Sequence, residues 1–393
     1  MLVLLRSLAV ARTLPSVIDV FTSGPTKDLA WIKDGTQVIY RIPSLIAVAP
    51  SSLLLTVSQR IGSSNDESPT NLVTRSSRDG GATWGPMKLA VSANSATVTG
   101  MSSAPWTVAL GTTHEGAVQI FWNANSTTSP SSECNCGVAT AKSVDGGATW
   151  GTPTVAVGIS GSSLASGIVL KHPLHAGRIV LCMRKICKNS CPAHYASFAS
   201  WSDDGGATWN SSAHLPSGTT ECQIAEIDDG SGTLYMSIRS LHAAAGVTHK
   251  RISSRSFDGG ITWTAPTAEP ALPDAGGCAG SVVSGAGAAL YYSHPNAKGR
   301  TNMSVWSSMD GGKSWGAPTL VYGGGSAYSS LAMMQAAQGK VGLAFEKDGY
   351  KSIAFSTMSL ATLVTATEEK GYHQSGGIEA GEQTRKPQRH AGK

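Results

Sequence analysis

The sequence predicts an all-β fold: a six-bladed β-propeller of four-stranded antiparallel sheets. Three observations point there. One eight-residue pattern occurs five times, at intervals of about 50 to 65 residues, the spacing of blades or arrays. Short apolar strands, and no long helical periodicity, fill the intervals. Glycine is abundant, at 45 of 393 residues, which suits tight turns and weakens helix interiors.

The five copies are "SRDGGATW" (77–84), "SVDGGATW" (143–150), "SDDGGATW" (202–209), "SFDGGITW" (256–263) and "SMDGGKSW" (308–315). Each has the chemistry of a hairpin turn. An Asp carboxylate accepts from the backbone just ahead of it, glycine permits positive φ, and Trp folds back as an apolar plug. Five of the ten tryptophans are spent this way, which makes them structural. Upstream of the boxes lie the strand patterns "SLLLTVSQR", "VQIFWNAN", "GRIVLCMRK", "GTLYMSIRS" and "ALYYSHP". A sixth unit, "KVGLAFEKDGYKSIAFSTMSL", keeps the strand pair and lacks a box. Four-stranded units that close on themselves protect their edges.

The ends read differently. Residues 1–25 are assigned to a leader or N-terminal extension. "MLVLLRSLAVARTLPS" is apolar but broken by Arg6, and fits a secretory signal, a transit peptide or a truncated leader. Residues 26–365 form the propeller. Residues 366–393 are polar and glycine-rich and read as a disordered tail.

Charge and cysteines bound the function. Net charge is +5 with only 14% charged residues, and Lys and Arg do not run together, which argues against nucleic acid. No apolar stretch reaches membrane-spanning length. Seven cysteines include three in "CMRKICKNSCPAH", beside His194, but the spacing matches no zinc pattern. Disulfides or free thiols are the expectation, with no metal. Sequons begin at Asn125, Asn210 and Asn302 and matter only in a secreted chain. Lysosomal or secreted localisation is favoured over cytoplasmic or membrane-associated. The oligomeric state is left open.

One strand raises a chemical question. "QVIYRIPSLIAV" (37–48) puts Arg41 between apolar runs. Arginine is seldom buried without a partner. Arg41 lies either on a solvated edge or in a cavity that receives an anion.

The boxes resemble the Asp-boxes of sialidases and of several other propeller proteins, and the boxes alone leave function open. "YRIP" at 40–43 resembles the Arg-Ile-Pro signature of sialidases. The resemblance implies that Arg41 is the first of three arginines that grip the sialic acid carboxylate, with Arg239 in "GTLYMSIRS" and Arg300 in "SHPNAKGRTNMSVW" as the others. A guanidinium fork matches a carboxylate better than an ammonium does. Three such cations around one point demand counter-charge.

The same resemblance assigns further roles. Asp66, in "QRIGSSNDESPTNLVTRSS", is the acid/base residue on a loop beside Arg60, which joins the substrate-binding set; Glu67 is the second choice, and Asp79 belongs to a box. Glu221, in "TTECQIAEIDDG", partners the nucleophile, with Glu226 as its competitor and Cys222 a packed neighbour. Tyr328, in "GGGSAYSSLAMM", is the nucleophile. Glu346, in "GLAFEKDGY", holds Arg41. The similarity is greatest to animal-type enzymes. One departure is "GMSSAPWTV", where Ser103 and Ala104 replace an Asn-Pro loop. Glu133 is a weaker match to a sugar-contacting glutamate.

The implied activity is retaining hydrolysis of terminal α-linked sialic acids from glycoproteins, gangliosides and oligosaccharides, without metal or organic cofactor. The implied partners are sialylated glycoconjugates. The alternative from another class is a non-catalytic Asp-box propeller that binds a glycan or protein. A transglycosylating variant is a third possibility.

Overall fold

The computed structural model describes residues 14–66, 68–93, 105–110, 116–124, 137–163, 166–186, 195–241, 250–274, 277–297, 299–334 and 339–364. The chain is all-β, a propeller-like arrangement of small antiparallel sheets. Strand β1 (Val17–Thr22) comes first. A five-stranded sheet follows: β2 (Gly24–Pro25), β3 (Gln37–Ala49), β4 (Ser52–Ile61), β5 (Thr70–Ser77) and β6 (Lys88–Val91). Next is β7 (Trp106–Ala109), β8 (Val118–Ala124), β9 (Gly137–Ser143) and β10 (Thr154–Ser160). A third sheet holds β11 (Ile168–Val169), β12 (Ile179–Ile186), β13 (Tyr195–Ser202) and β14 (Asn210–Ser211). A fourth holds β15 (Thr219–Glu226), β16 (Leu234–Ser240), β17 (Lys250–Ser256) and β18 (Thr267–Pro273). The last strands are β19 (Ser281–Ser284), β20 (Leu290–Ala297), β21 (Thr301–Ser308), β22 (Thr319–Met333), β23 (Lys340–Lys347) and β24 (Ser352–Ser359).

The expected six separate four-stranded sheets are not what hydrogen bonding gives. Among the described residues there are five sheets, and the last has seven strands in the order β1-β24-β23-β22-β21-β20-β19. The cause is β22, a strand of 15 residues. Its first half pairs with β21 and its second half with β23, so it fuses two groups of strands. The N-terminal boundary also shifts. Val17–Thr22, placed with the leader by sequence, is strand β1 and pairs antiparallel with β24.

The box prediction holds in atomic detail. In the first box Asp79 accepts from the Thr83 backbone N–H at 2.9 Å and from the Thr83 hydroxyl at 2.5 Å, while Ser77 Oγ accepts from the Gly81 N–H at 2.8 Å. Gly81 has φ +90°, and a Cβ there would lie 2.0 Å from Phe355 on β24. The equivalent Gly147 meets Leu54 of the preceding sheet at 2.7 Å. Each such turn is therefore a spacer against the neighbouring sheet as well as a hairpin.

Apolar side chains pack between neighbouring sheets. Phe121 on β8 meets Trp209 edge-on at 5.4 Å across one such boundary, and both are buried. Truncating a ring of this kind typically costs about 3–5 kcal/mol. Strands β3, β7, β11, β15, β19 and β22 contact one another in a closed ring, and the functional side chains stand at one end of it. No described helix is long and apolar enough to cross a membrane.

Candidate active site

Three ring strands bulge where the candidate residues sit. The β3–β4 register shifts between Arg41 and Ser44, the β15–β16 register between Thr219 and Cys222, and the β22–β23 register between Ser326 and Ser329. Arg41, Glu221 and Tyr328 lie at or within these bulges. A bulge re-aims a side chain that regular pleating would send elsewhere. At the first, Ile42 has φ +54°, rare for a β-branched residue and costing about 1–3 kcal/mol. Pro43 has no N–H to leave unpaired there.

Glu346 on β23 compensates. Its Oε1 accepts from Arg41 Nε at 2.6 Å and from the Ile42 N–H at 2.9 Å, and its Oε2 accepts from the Tyr328 N–H at 3.1 Å. One buried carboxylate thus joins the first arginine, the strained residue and the tyrosine backbone. Burial alone would make Arg41 easier to deprotonate; Glu346 reverses that and holds it firmly charged.

Tyr328 is the hub. Its hydroxyl donates to Glu221 Oε1 at 2.6 Å. Arg239 Nη1 donates to Glu221 Oε2 at 2.7 Å and lies 3.5 Å from the tyrosine oxygen. Arg41 and Arg300 stand over the Tyr328 ring at 5.7 and 5.6 Å from its centre. The three arginines, distant in sequence, do converge. Arg300 is fixed by donation to Tyr350 Oη at 3.0 Å and to the Gly277 carbonyl at 2.9 Å.

The electrostatics follow from this packing. Burial and then the Glu221 charge push the Tyr328 phenol well above its ordinary value, so it rests neutral. Burial works to raise Glu221, but Arg184 and Arg239 prevail and hold it below the usual carboxylate range. Four guanidiniums face two carboxylates, an excess of two positive charges. The cluster is an electropositive pocket, with a phenol hydrogen-bonded to a carboxylate at its centre.

Two participants escaped sequence reasoning. Tyr350, in the β23–β24 turn at φ +70°, lies beneath Arg41 with its ring centre 3.8 Å from the guanidinium carbon. Arg184 donates to Glu221 Oε1 at 3.3 Å. A signal for it existed: "SLLLTVSQR", "GRIVLCMRK" and "GTLYMSIRS" each carry a second-strand arginine at or one residue before the end, Arg60, Arg184 and Arg239.

Other expectations land elsewhere. Asp66 is exposed and paired with Arg60 Nη1 at 2.8 Å, and among the described residues it makes no hydrogen bond or ion pair with Tyr328, Glu221 or the three arginines. The Arg60 side chain is fully buried and holds the Asp66 carboxylate from below. Glu226 accepts from the Lys171 and His172 N–H groups at 2.7 and 3.0 Å, at the opposite end of β15 from Glu221. A cavity of about 400 Å³ opens at that far end, lined by Leu45, Val169, Glu226, Val282 and Met333, away from the arginines. Cys222 is more than a packed neighbour: it forms a disulfide with Cys182 on β12. Glu67, Ser103, Ala104, Glu133, Cys187, Cys191 and His194 lie outside the described residues.

A family profile described as a BNR repeat-like domain matches residues 52–343. The chain belongs to this family. Within it, the chain's relatives are sialidases of animal and bacterial origin. It is 28% identical over 351 residues to a sialidase of Micromonospora viridifaciens, covering 82% of this chain and 52% of that protein. It is 30% identical over 296 residues to Sialidase-4 of Homo sapiens, covering 66% and 57%. Among solved structures, the "Hadza microbial sialidase Hz136" superposes with a TM-score of 0.68 at 25% identity, covering 82% of this chain and 66% of that one. This BNR-repeat chain spans about half to two-thirds of the length of the first curated relatives it matches.

Proposed function

We propose that the chain is a retaining exo-α-sialidase that removes terminal α-linked sialic acids from glycoproteins, gangliosides and oligosaccharides. We read its strands as six propeller units, with the seven-stranded sheet counting as two. The observation that carries the functional reading is Tyr328 Oη on Glu221 Oε1 at 2.6 Å within the arginine cluster.

The substrate's chemistry favours this choice of nucleophile. Most retaining glycosidases attack with a carboxylate, and sialidases with a tyrosine are an exception. Sialic acid bears a carboxylate on its anomeric carbon. Two like charges at 4 Å repel by about 4 kcal/mol at an effective dielectric of 20. A neutral phenol avoids that penalty. Arg41, Arg239 and Arg300 anchor the substrate carboxylate and hold the anomeric carbon over the tyrosine. As Tyr328 Oη bonds that carbon, its proton passes to Glu221 Oε1. The glycosidic bond breaks, and the leaving oxygen takes a proton from Asp66. In the second half Asp66 takes a proton from water, the water oxygen bonds the anomeric carbon as the bond from that carbon to Tyr328 Oη breaks, and the tyrosine oxygen recovers its proton from Glu221. No step calls on a metal or cofactor.

The test is turnover of a fluorogenic aryl sialoside by the wild-type chain and by Tyr328→Phe. Turnover in the first and its loss in a folded second support the reading. No turnover by folded wild type across pH 4–8 contradicts it.

A further inference from the structure

The sialidase reading uses Arg239 on one oxygen of Glu221 and leaves the other arginine on that carboxylate without a role. Glu221 has two oxygens with different duties. Oε2 takes the Arg239 hydrogen bond at 2.7 Å. Oε1 receives the Tyr328 hydroxyl at 2.6 Å, and Arg184 Nη1 reaches the same atom at 3.3 Å. The last torsion of a glutamate is broad and only weakly self-orienting. Without Arg184, Oε1 would be held only by the hydroxyl whose proton it must take, and would lose that hold as the tyrosine reacts; Arg184 gives Oε1 a second anchor.

Arg184 is itself tightly placed. Its Nε donates to Ser162 Oγ at 2.9 Å, and its backbone exchanges hydrogen bonds with Ser162 at 2.8 and 3.0 Å. Its guanidinium stands 5.3 Å from the Tyr195 ring centre. The disulfide between Cys182, two residues before it, and Cys222, next to Glu221, ties β12 to β15 beside this contact. Sequence and covalent linkage therefore set the distance between Arg184 and Glu221 independently of any ligand.

We propose that Arg184 is a positioning residue, which acts through Glu221 to keep Oε1 aligned on Tyr328 and open to receive its proton. The inference rests on the sialidase reading for its consequences and on the disulfide-bracketed contact for its geometry. Charged and titratable neighbours of Glu221 come from several elements: Arg184 on β12, Arg239 on β16, Arg251 on β17, Cys278 in the segment before β19, and Tyr328 on β22. Burial raises Glu221 and the two paired arginines lower it. Losing Arg184 therefore moves Glu221 protonation to higher pH, and with it the acid limb of turnover.

The experiment compares wild type, Arg184→Gln and Arg184→Lys on an aryl sialoside across pH. An aryl leaving group departs without help from Asp66, so the acid limb of kcat/KM reports Glu221. Arg184→Gln is expected to lower kcat about tenfold with KM within about twofold, and to shift the acid limb to higher pH. Arg184→Lys, which keeps the charge, is expected to restore the limb most of the way and kcat only in part. An unmoved limb with unchanged kcat overturns the proposal. So does a raised KM at unchanged kcat, which makes Arg184 a substrate contact. If Arg184→Gln fails to fold, the Lys variant decides alone: wild-type kcat in it overturns the positioning role. A second readout needs no substrate. Carbon NMR titration of the Glu221 carboxyl, assigned through Glu221→Gln, is expected to move to higher pH in Arg184→Gln. If wild type is inactive yet that shift appears, the sialidase reading fails and the Arg184 contact stands; if the shift is absent in active protein, the reverse holds.

Discussion

Tyr328 rests as a neutral phenol against a carboxylate that two arginines hold ionised. On the proposed reading, that pairing makes the tyrosine expendable for folding and essential for turnover. Tyr328→Phe keeps the buried ring and loses one hydroxyl, so folding is expected to persist while kcat falls by about a thousandfold or more. Steady-state rates and a thermal melt on the same sample check both halves; a wild-type rate removes Tyr328 from the mechanism. Arg300 presents a fork, with Nη1 on Tyr350 and Nη2 on the Gly277 carbonyl. Lysine cannot reproduce it. Arg300→Lys is expected to raise KM about tenfold, read from saturation curves, and unchanged kinetics count against the triad. At this scale the sequence was most readable where a residue type is chemically demanding. A buried cation in an apolar strand needs an acid, and Glu346 is there. Tyr350 stayed hidden because it acts through a left-handed turn, which leaves no spacing in the chain; Arg184 left a trace in the repeated second-strand arginine, but its inter-sheet contact with Glu221 did not.

Bulges and boxes do the work at the level of elements. The boxes were legible because five Asp-Gly-Gly turns repeat the same short-range bonding. The bulges at Arg41, Glu221 and Tyr328 were not, because a register shift depends on the partner strand and not on local composition. Asp145 illustrates the boxes' role. It accepts from the Thr149 N–H at 2.8 Å and from the Thr149 hydroxyl at 2.6 Å. Burial is the largest single influence and opposes ionisation, but the hydrogen bonds from Thr149, Ser143 and the Ala148 N–H together outweigh it and bring the carboxyl down to about 2. Asp145→Ala is expected to cost roughly 1 kcal/mol, discounted for exposure, and to lower the melting temperature while kcat is retained. A fully stable but inactive variant would mean that the box had been misread. The pH sign follows. A carboxyl lowered on folding stabilises the fold above its unfolded value, about 3.9, and that contribution disappears as pH falls towards about 2. Asp145→Asn should therefore flatten the melting curve's dependence on pH in that window, and an unflattened curve contradicts the assignment.

For the whole molecule, closure is what brings the site together. The site draws on β3, β15, β16, β22 and β23 and the β20–β21 turn, which meet only when the ring shuts. The part that β1 plays in shutting it was not legible, because an apolar N-terminal stretch reads equally well as a leader. Phe21 on β1 is 2% exposed and packs with Tyr40 at 5.1 Å. Phe21→Ala is expected to cost about 3–5 kcal/mol, seen as an earlier denaturant midpoint at unchanged slope, and an unmoved midpoint argues against closure through β1. The repeat of small antiparallel sheets was readable from the boxes, but the fusion through β22 was not, since only hydrogen bonding shows that one strand serves two neighbours. On the proposed reading, this closed ring presents Tyr328 to an anionic sugar held by three arginines. The most direct measurement is covalent trapping with a 3-fluorosialyl donor, in which fluorine slows breakdown of the intermediate. Peptide mass spectrometry is predicted to place the sialyl adduct on Tyr328, and to find none in Tyr328→Phe. An adduct on Glu221 or another residue, or turnover of the donor without any adduct on Tyr328, would contradict it.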